Sequence, residues 1–187
     1  MDIHLLITHS LTLIFIGLFI FWKLTDPRPR AERLKLYTSK KGILIGLYGF
    51  SFLVLNYLSA YYFPMAGSGF DTQMAYLGIM IFLIGTSFAI WAKITMGKIW
   101  GMPSAHDHVR QNKLIKHGPF KYSRNPIYVG LIMALIGYGL ALQSYFAFLA
   151  LIPILYFHEA AKKEEILLEK FFKEEFLKYK KEVPRFF

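Results

Sequence analysis

The sequence predicts an all-α integral membrane protein with about five transmembrane helices, the last two a short helical hairpin, and a C-terminal cytosolic amphipathic helix. Of its 187 residues, 55% are hydrophobic and 18% aromatic. The mean hydropathy is +0.39, which is too apolar for a soluble domain of this length. Lys and Arg lie only in alternate connections between the apolar stretches and after the last stretch. Cysteine is absent, which excludes disulfide and thiolate chemistry.

Five apolar stretches account for the predicted helices in the membrane. They are residues 3–22, 43–63, 74–92, 127–142 and 144–158. The first two hold about 20 residues each, which at about 1.5 Å per residue crosses a hydrocarbon core about 30 Å thick. The last two are shorter and meet at the polar pair Gln143-Ser144, which predicts the hairpin. The first stretch lacks the basic start and cleavage site of a signal peptide, so we expect it in the mature protein.

The basic residues predict how these helices cross the membrane. Residues 23–41 carry seven Lys and Arg, residues 93–126 carry seven, and the chain after residue 158 carries eight, which accounts for all 22. The positive-inside rule then places the N-terminus outside and the C-terminus in the cytosol, for a bacterial or archaeal inner membrane or an endoplasmic reticulum. The net charge of +10 therefore reflects orientation and attraction to membrane lipids, and we expect no nucleic-acid partner.

Three further segments carry predictions of their own. The basic linker 26–41 opens with prolines and is predicted mainly to set orientation, with one or two amphipathic turns on the membrane surface as the alternative. The stretch that begins at His158 reads as one long amphipathic helix, continuing the fifth span and ending at Pro184. Gly42 and Gly46 have the Gly-x-x-x-Gly spacing that lets two helices approach closely, within the chain or in a homodimer.

A series of motifs in the second half of the chain resembles a known family. In order, they are Leu114-Ile115, Gly118-Pro119-Phe120, Arg124-Asn125-Pro126, Tyr128, Gly130, Glu164-Glu165, Leu168, Phe172, Tyr179 and Val183-Pro184-Arg185-Phe186, with Gly97 and Trp100 upstream. This pattern, over roughly residues 95–187, resembles the isoprenylcysteine carboxyl methyltransferases and the related phospholipid methyltransferases. Two positions differ. Asn125 stands where the family has His, so it cannot titrate, and Lys173 stands where the family has Gly.

The resemblance implies an S-adenosylmethionine-dependent methyltransferase that acts on a lipophilic acceptor at the cytosolic membrane face. The acceptor would be an isoprenylcysteine carboxylate, a phospholipid or an isoprenoid-like molecule entering from the bilayer. The implied catalytic residues are Arg124, Tyr128 and Glu164. The implied cofactor-binding residues are Asn112, Lys113, Leu114, Ile115, Gly118, Phe120, Asn125, Pro126, Ile127, Tyr128, Glu164 and Glu165.

Each implied role has a chemical reason. Glu164 would hold the ammonium group of the cofactor, and the rings of Phe120 and Tyr128 would face its adenine or sulfonium. Backbone groups of residues 113–115 would form hydrogen bonds with polar edges of the cofactor. Arg124 would bind an acidic group of the cofactor or the acceptor. The resemblance divides the chain into two regions. The first, 1–92, has three N-terminal transmembrane helices with a basic cytosolic linker at 23–42. The second, 93–187, is methyltransferase-like and cofactor-binding.

Two alternatives stay open. One is a membrane reductase of the sterol reductase type that binds NADPH. Leu131 stands where those proteins place Glu, and no Gly-x-Gly-x-x-Gly fingerprint is present. The other is a non-catalytic membrane protein with the same fold, an alternative that Asn125 keeps open. His106, Asp107 and His108 resemble metal ligands, but they are sequence neighbours without a third His nearby, so we expect no metal.

Overall fold

The computed structural model describes residues 3–63, 65, 69–99 and 113–186. Within these residues the chain is helical and contains no strand. The α helices are α1 (Ile3–Leu24), α2 (Arg30–Thr38), α3 (Lys40–Tyr62), α4 (Gly69–Met96), α5 (Pro126–Ala141), α6 (Leu151–Phe172) and α7 (Glu174–Glu182). Short 3-10 helices cover Gly97–Ile99, Gly118–Lys121 and Tyr145–Ala150. The all-α prediction is therefore confirmed.

Among the described residues, three helices are long and apolar enough to cross a membrane, namely α1, α3 and the Thr72–Met96 part of α4. They match the first three predicted spans. The fourth predicted span corresponds to α5, a shorter apolar helix of 16 residues. After α5 the chain turns at Gln143, which has a φ of 49°. Ser144 then accepts a hydrogen bond from Phe146 N at 3.1 Å, so the predicted turn is where the sequence placed it.

An aromatic core joins four of these helices. Phe15 of α1, Phe52 of α3, Phe82 of α4 and Tyr138 of α5 are all buried. The ring of Tyr138 lies 5.1 Å from that of Phe15 and 6.1 Å from those of Phe52 and Phe82. The Tyr138 hydroxyl also lies 2.8 Å from Thr12 Oγ1. Packing and interhelical hydrogen bonds of this kind hold helices together where lipid removes the hydrophobic driving force.

The closest helix contact is between α4 and α5, and four glycines make it. They are Gly78, Gly85, Gly130 and Gly137. A Cβ at Gly78 would lie 2.2 Å from Ala141 N, and one at Gly137 would lie 2.3 Å from Phe82 N, so no side chain fits. We call this contact the glycine seam.

The Gly-x-x-x-Gly prediction is wrong within the chain. A Cβ at Gly46 would meet nothing within 4 Å, and one at Gly42 would lie 2.1 Å from Leu36 O of α2, not from a membrane helix. Gly42 instead allows the tight turn from α2 into α3, where Gly42 N donates to Ser39 Oγ at 3.0 Å. A contact through Gly46 in a homodimer stays a prediction.

The linker between α1 and α3 is anchored rather than loose. Asp26 and Arg28 are buried as an ion pair, with Arg28 Nε donating to Asp26 Oδ1 at 2.8 Å. Tyr37 of α2 donates to the same carboxylate at 3.3 Å. The amphipathic segment expected after the prolines is α2.

The single long C-terminal helix was a wrong prediction, because the helix breaks at Lys173. Lys173 has φ 46° and ψ −121° and separates α6 from α7. The break turns α7 back, so that Phe176 and Tyr179 are buried against Leu114. The Tyr179 hydroxyl donates to Phe120 O at 2.7 Å. Burying this apolar face required a change of direction that a continuous helix does not allow.

Candidate active site

The predicted site residues gather where α4 ends, α5 begins and α6 and α7 meet. Residues 113–116, which are neither helix nor strand, enter this region. Leu114 packs against Phe176, Tyr179 and Val183, whereas Ile115 packs in a different cluster. That second cluster contains Ala92 and Phe120, with Met96, Ile99 and Ile127 against it. The buried side chains of Leu114 and Ile115 fix the backbone of residues 113–115 in place. This backbone makes no hydrogen bond to another described residue.

Gly118 makes the turn that brings Phe120 into the site. Its φ is 61°, in the region that favours glycine, and a Cβ there would lie 3.1 Å from Thr95 Oγ1. Pro119 and Phe120 follow as a buried 3-10 turn. The turn places Phe120 between the end of α4 and α7, as shown by its contacts with Ala92 and its hydrogen bond from Tyr179.

Tyr128 and Glu164 meet directly. Tyr128 stands in the first turn of α5, which Pro126 starts at the position where a proline costs no hydrogen bond. The Tyr128 hydroxyl donates to Glu164 Oε1 at 2.9 Å. Its ring stacks on Phe157 of α6, with ring centroids 4.8 Å apart and planes 11° from parallel. Phe157 and Glu164 are seven residues apart, two turns along one face of α6, so both reach Tyr128.

The environment of Glu164 disfavours its charge. Glu164 lies beyond the apolar part of α6 and is partly buried. Burial raises its pKa from the ordinary 4.5 to about 7, and the neighbouring charge of Glu165 adds to this effect. The hydrogen bond from Tyr128 acts in the opposite direction but is outweighed. Glu164 has no cationic partner among the described residues. A cation placed beside it could therefore pair with its carboxylate.

Glu165 has the opposite environment. Arg124 Nε and Nη2 donate to its Oε1 at 3.1 and 3.0 Å. Arg185 Nε and Nη2 donate to its Oε1 and Oε2 at 3.0 and 2.9 Å. Burial alone would raise the pKa of Glu165, but the hydrogen bonds from the two arginines hold it below its ordinary value. Glu165 is thus a charged anchor between the start of α5 and the end of the chain.

The segment after α7 is fastened to the start of α5, and we call residues 183–186 the tail. Arg124 N donates to Pro184 O at 2.9 Å, and Arg124 Nη1 donates to Lys180 O at 3.0 Å and to Val183 O. Ser123 Oγ and Asn125 Nδ2 both donate to Arg185 O, at 2.9 and 3.2 Å. The amide that replaces the family's His is therefore used to hold the tail.

These contacts divide the predicted site residues into two groups. Tyr128 and Glu164 touch each other, while Phe120, Leu114, Ile115 and Ile127 lie in the two apolar clusters described above. Arg124, Asn125 and Glu165 lie in the neighbouring group with the tail. Arg124, predicted to bind an acidic group of a ligand, has its guanidinium engaged by the protein. Asn112 lies outside the described residues, as do Trp100 and the His106 to His108 stretch.

Two members of this arrangement, Phe157 and Arg185, are not among the predicted site residues. The seven-residue spacing of Phe157 from Glu164 is a signal in the sequence that both lie on one face of α6. For Arg185 there is no such signal, because nothing in a sequence shows that an arginine 20 residues after a glutamate folds back onto it.

Comparisons with known proteins give a consistent result. Residues 74–175 match the sequence model of a family described as phospholipid methyltransferase. Two rice proteins, from Oryza sativa subsp. indica and subsp. japonica, are each called probable protein-S-isoprenylcysteine O-methyltransferase. Each is 27% identical to this chain over 112 residues. Each alignment covers 59% of this chain, and the chain matches only about three-fifths of either relative, 59%.

A solved structure has the same fold. It is the eukaryotic intramembrane Ras methyltransferase ICMT (isoprenylcysteine carboxyl methyltransferase). The TM-score is 0.62 with 20% sequence identity, and the superposition covers 80% of this chain and 54% of the other. At this identity the similarity concerns the fold alone.

Proposed function

Because the chain belongs to the phospholipid methyltransferase family, we propose that it is a membrane enzyme that uses S-adenosylmethionine to methylate a lipophilic acceptor. The observation that carries the proposal is Glu164, a partly buried carboxylate that Tyr128 orients at the base of an apolar bundle. A buried acid with a pKa of about 7 is costly for the folded protein, and such cost is typical of binding sites.

The residues fit the proposed cofactor. S-adenosylmethionine has an ammonium group, a sulfonium cation and an adenine ring. Glu164 offers a carboxylate for the ammonium group, and the stacked rings of Tyr128 and Phe157 offer an aromatic face for a cation or a base. The backbone of residues 113–115 has hydrogen-bonding groups that no described residue uses. When bound, the cofactor supplies an electrophilic methyl group, and these side chains supply binding and orientation.

The acceptor belongs to the lipophilic class, and one residue bears on its chemistry. A carboxylate acceptor is nucleophilic as it stands, whereas an amine must first lose a proton. Asn125 cannot take that proton and its amide donates to Arg185 O. This supports an acceptor with an oxygen nucleophile, such as an isoprenylcysteine carboxylate, over a phospholipid amine. Its apolar part would reach the site from the bilayer on the cytosolic side.

Binding to the purified protein in detergent tests the proposal. Isothermal titration calorimetry with S-adenosylmethionine should give micromolar binding to the wild-type protein. Glu164→Gln should weaken it about tenfold or more, because a charge-assisted contact is lost. The matched control is Glu169→Gln, which removes an exposed carboxylate of the same helix whose ion-pair partner is Lys180. Binding of NADPH instead, or binding of neither compound, would contradict the proposal.

A further inference from the structure

The Glu165 cluster contains more positive than negative charge. Two guanidinium groups, those of Arg124 and Arg185, share the single carboxylate of Glu165. This carboxylate is ionised at neutral pH and compensates one of the two cations, while the exposed carboxylate of Glu159 adds a weaker attraction for Arg185. A partly buried cation without a full counter-charge is unfavourable in the free protein and favours an anionic ligand.

The two arginines differ in exposure and in the hydrogen-bond donors that remain available for a ligand. The Arg124 side chain is 8% exposed, and its three nitrogens donate to Glu165 or to backbone carbonyls. The Arg185 side chain is 30% exposed. Its Nε and Nη2 bind Glu165, whereas its Nη1 has no hydrogen-bond partner among the described residues. The available donor of the cluster is therefore on Arg185.

Arg185 is also held in place by its sequence neighbours and by Glu165, which adjoins Glu164 on α6. Its carbonyl accepts hydrogen bonds from Ser123 and Asn125, and the ring of the next residue, Phe186, lies 5.9 Å from that of His158. Val183, two residues earlier, packs in the cluster that contains Leu114. The partner of Arg185, Glu165, follows Glu164 directly on α6. Arg185 thus belongs to the region that holds Glu164 and the backbone of residues 113–115.

We propose that Arg185 binds the carboxylate of the amino acid group of S-adenosylmethionine, while Glu164 binds its ammonium. A zwitterionic amino acid group is best bound by one anionic and one cationic partner, and among the described residues Arg185 offers an available guanidinium donor on Glu165, the residue that follows Glu164. Arg124, which the sequence pointed to for an acidic group, then supports Glu165 and the tail. The inference rests on the proposed function, and the tail lies beyond the residues 74–175 that the family model matches.

Decarboxylated S-adenosylmethionine tests this assignment, because it lacks only the carboxylate. The dissociation constants of both compounds would be measured by calorimetry for the wild-type protein, Arg185→Gln and Lys178→Gln. Wild type should prefer S-adenosylmethionine, and Arg185→Gln should lose about 10- to 100-fold for it while binding the decarboxylated compound as wild type does. Lys178→Gln removes one exposed charge of α7 and should change neither value.

Three outcomes would overturn the inference. Equal weakening of both ligands by Arg185→Gln would mean that Arg185 only holds the tail, and no weakening of either would mean that it faces no ligand. Arg185→Lys keeps a charge beside Glu165 without the guanidinium fork, so it should show the selective loss even where Arg185→Gln folds poorly. An unselective loss in Arg185→Lys would also contradict the assignment.

Failure of wild type to bind either compound would instead refute the proposed function itself, and the inference with it.

Discussion

Two consecutive carboxylates of α6 have opposite properties because they face different neighbours. Successive helical residues point about 100° apart. Glu164 therefore faces the rings of Tyr128 and Phe157, and Glu165 faces two arginines. Glu165 is a fixed structural charge, whereas burial raises the pKa of Glu164 to about 7. About 100° of rotation around α6 thus separates the structural carboxylate from the one proposed to bind a ligand.

The raised pKa of Glu164 predicts a dependence of stability on pH. The folded protein binds this proton more tightly than the unfolded chain, so the contribution to stability is full below about pH 4.5 and is lost as the pH rises through about 7. Glu164→Gln, which keeps an acceptor for the Tyr128 hydroxyl, should remove this loss. At pH 8 it should be more stable than wild type by up to about 3 kcal/mol.

Chemical unfolding in detergent at pH 5, 6, 7 and 8 measures this difference. Glu159→Gln serves as the control, because Glu159 is exposed, and its difference from wild type should stay small at every pH. A Glu164→Gln protein that is less stable than wild type at pH 8 would show that Glu164 is charged without cost, contrary to its described surroundings.

At the scale of single residues, the sequence identified the members of the site better than their roles. Glu164, Tyr128 and Phe120 followed from the family resemblance. The structure brings Tyr128 and Glu164 into contact, whereas Phe120 packs with Ala92 and Ile115, and their roles in binding stay a prediction. The role of Arg124 did not follow, because its partners come from α6 and from the chain after α7. Periodicity and motif order carry no information on such long-range contacts.

Among the elements, the break between α6 and α7 determines where the tail lies. Lys173 adopts φ 46° and ψ −121°, a conformation that suits glycine and strains other residues. The strain persists because Phe176 and Tyr179 gain a buried position from it. The family's Gly at this position hinted at the break. Because Lys is a good helix former, local sequence preference predicted a continuous helix instead.

Lys173→Gly should therefore stabilise the protein, by about 1–2 kcal/mol, because glycine adopts this conformation without strain. Lys170→Gly makes the same chemical change inside α6, where it should cost about 1 kcal/mol. Thermal unfolding of both variants in one detergent, followed by circular dichroism, gives the comparison. Destabilisation by Lys173→Gly as large as that by Lys170→Gly would mean that the chain is helical through residue 173.

The helix contacts show a similar limit of prediction. Gly42 and Gly46 matched a known spacing, yet the close contact is the glycine seam. Its glycines also show a pattern, since Gly78 and Gly85 are seven residues apart, as are Gly130 and Gly137, two turns along one helix face. This spacing is visible in the sequence. Many apolar helices contain glycines, however, and only the packing shows which glycines contact another helix.

For the whole molecule, the three long spans were predictable from length and hydropathy alone, because each stretch is continuous and uncharged. The two shorter ones were harder to place. α5 has 16 residues, about 24 Å at the usual rise, which is less than a typical hydrocarbon core. The crossing of five spans, with a cytosolic C-terminus, rests on the distribution of Lys and Arg and stays a prediction.

The lack of cysteine makes this topology directly measurable. Single substitutions at exposed positions, Arg30→Cys, Tyr145→Cys and Lys178→Cys, would be tested in intact cells with a membrane-impermeant maleimide. Tyr145→Cys should react in intact cells. Arg30→Cys and Lys178→Cys should react only after permeabilisation. Reaction of Tyr145→Cys and Lys178→Cys from the same side would mean that the α5-α6 hairpin does not cross the bilayer.

The glycine seam also restricts how an acceptor can travel. At Gly137 and Gly78 the backbones of α4 and α5 approach so closely that even one methyl group would collide. A prenyl or acyl chain therefore cannot pass between these two helices at the seam. If the protein methylates a lipophilic acceptor as proposed, that acceptor must reach Glu164 past another side of the bundle, for example between α3 and α6, where Lys41 lies 5.4 Å from the centre of the Tyr156 ring.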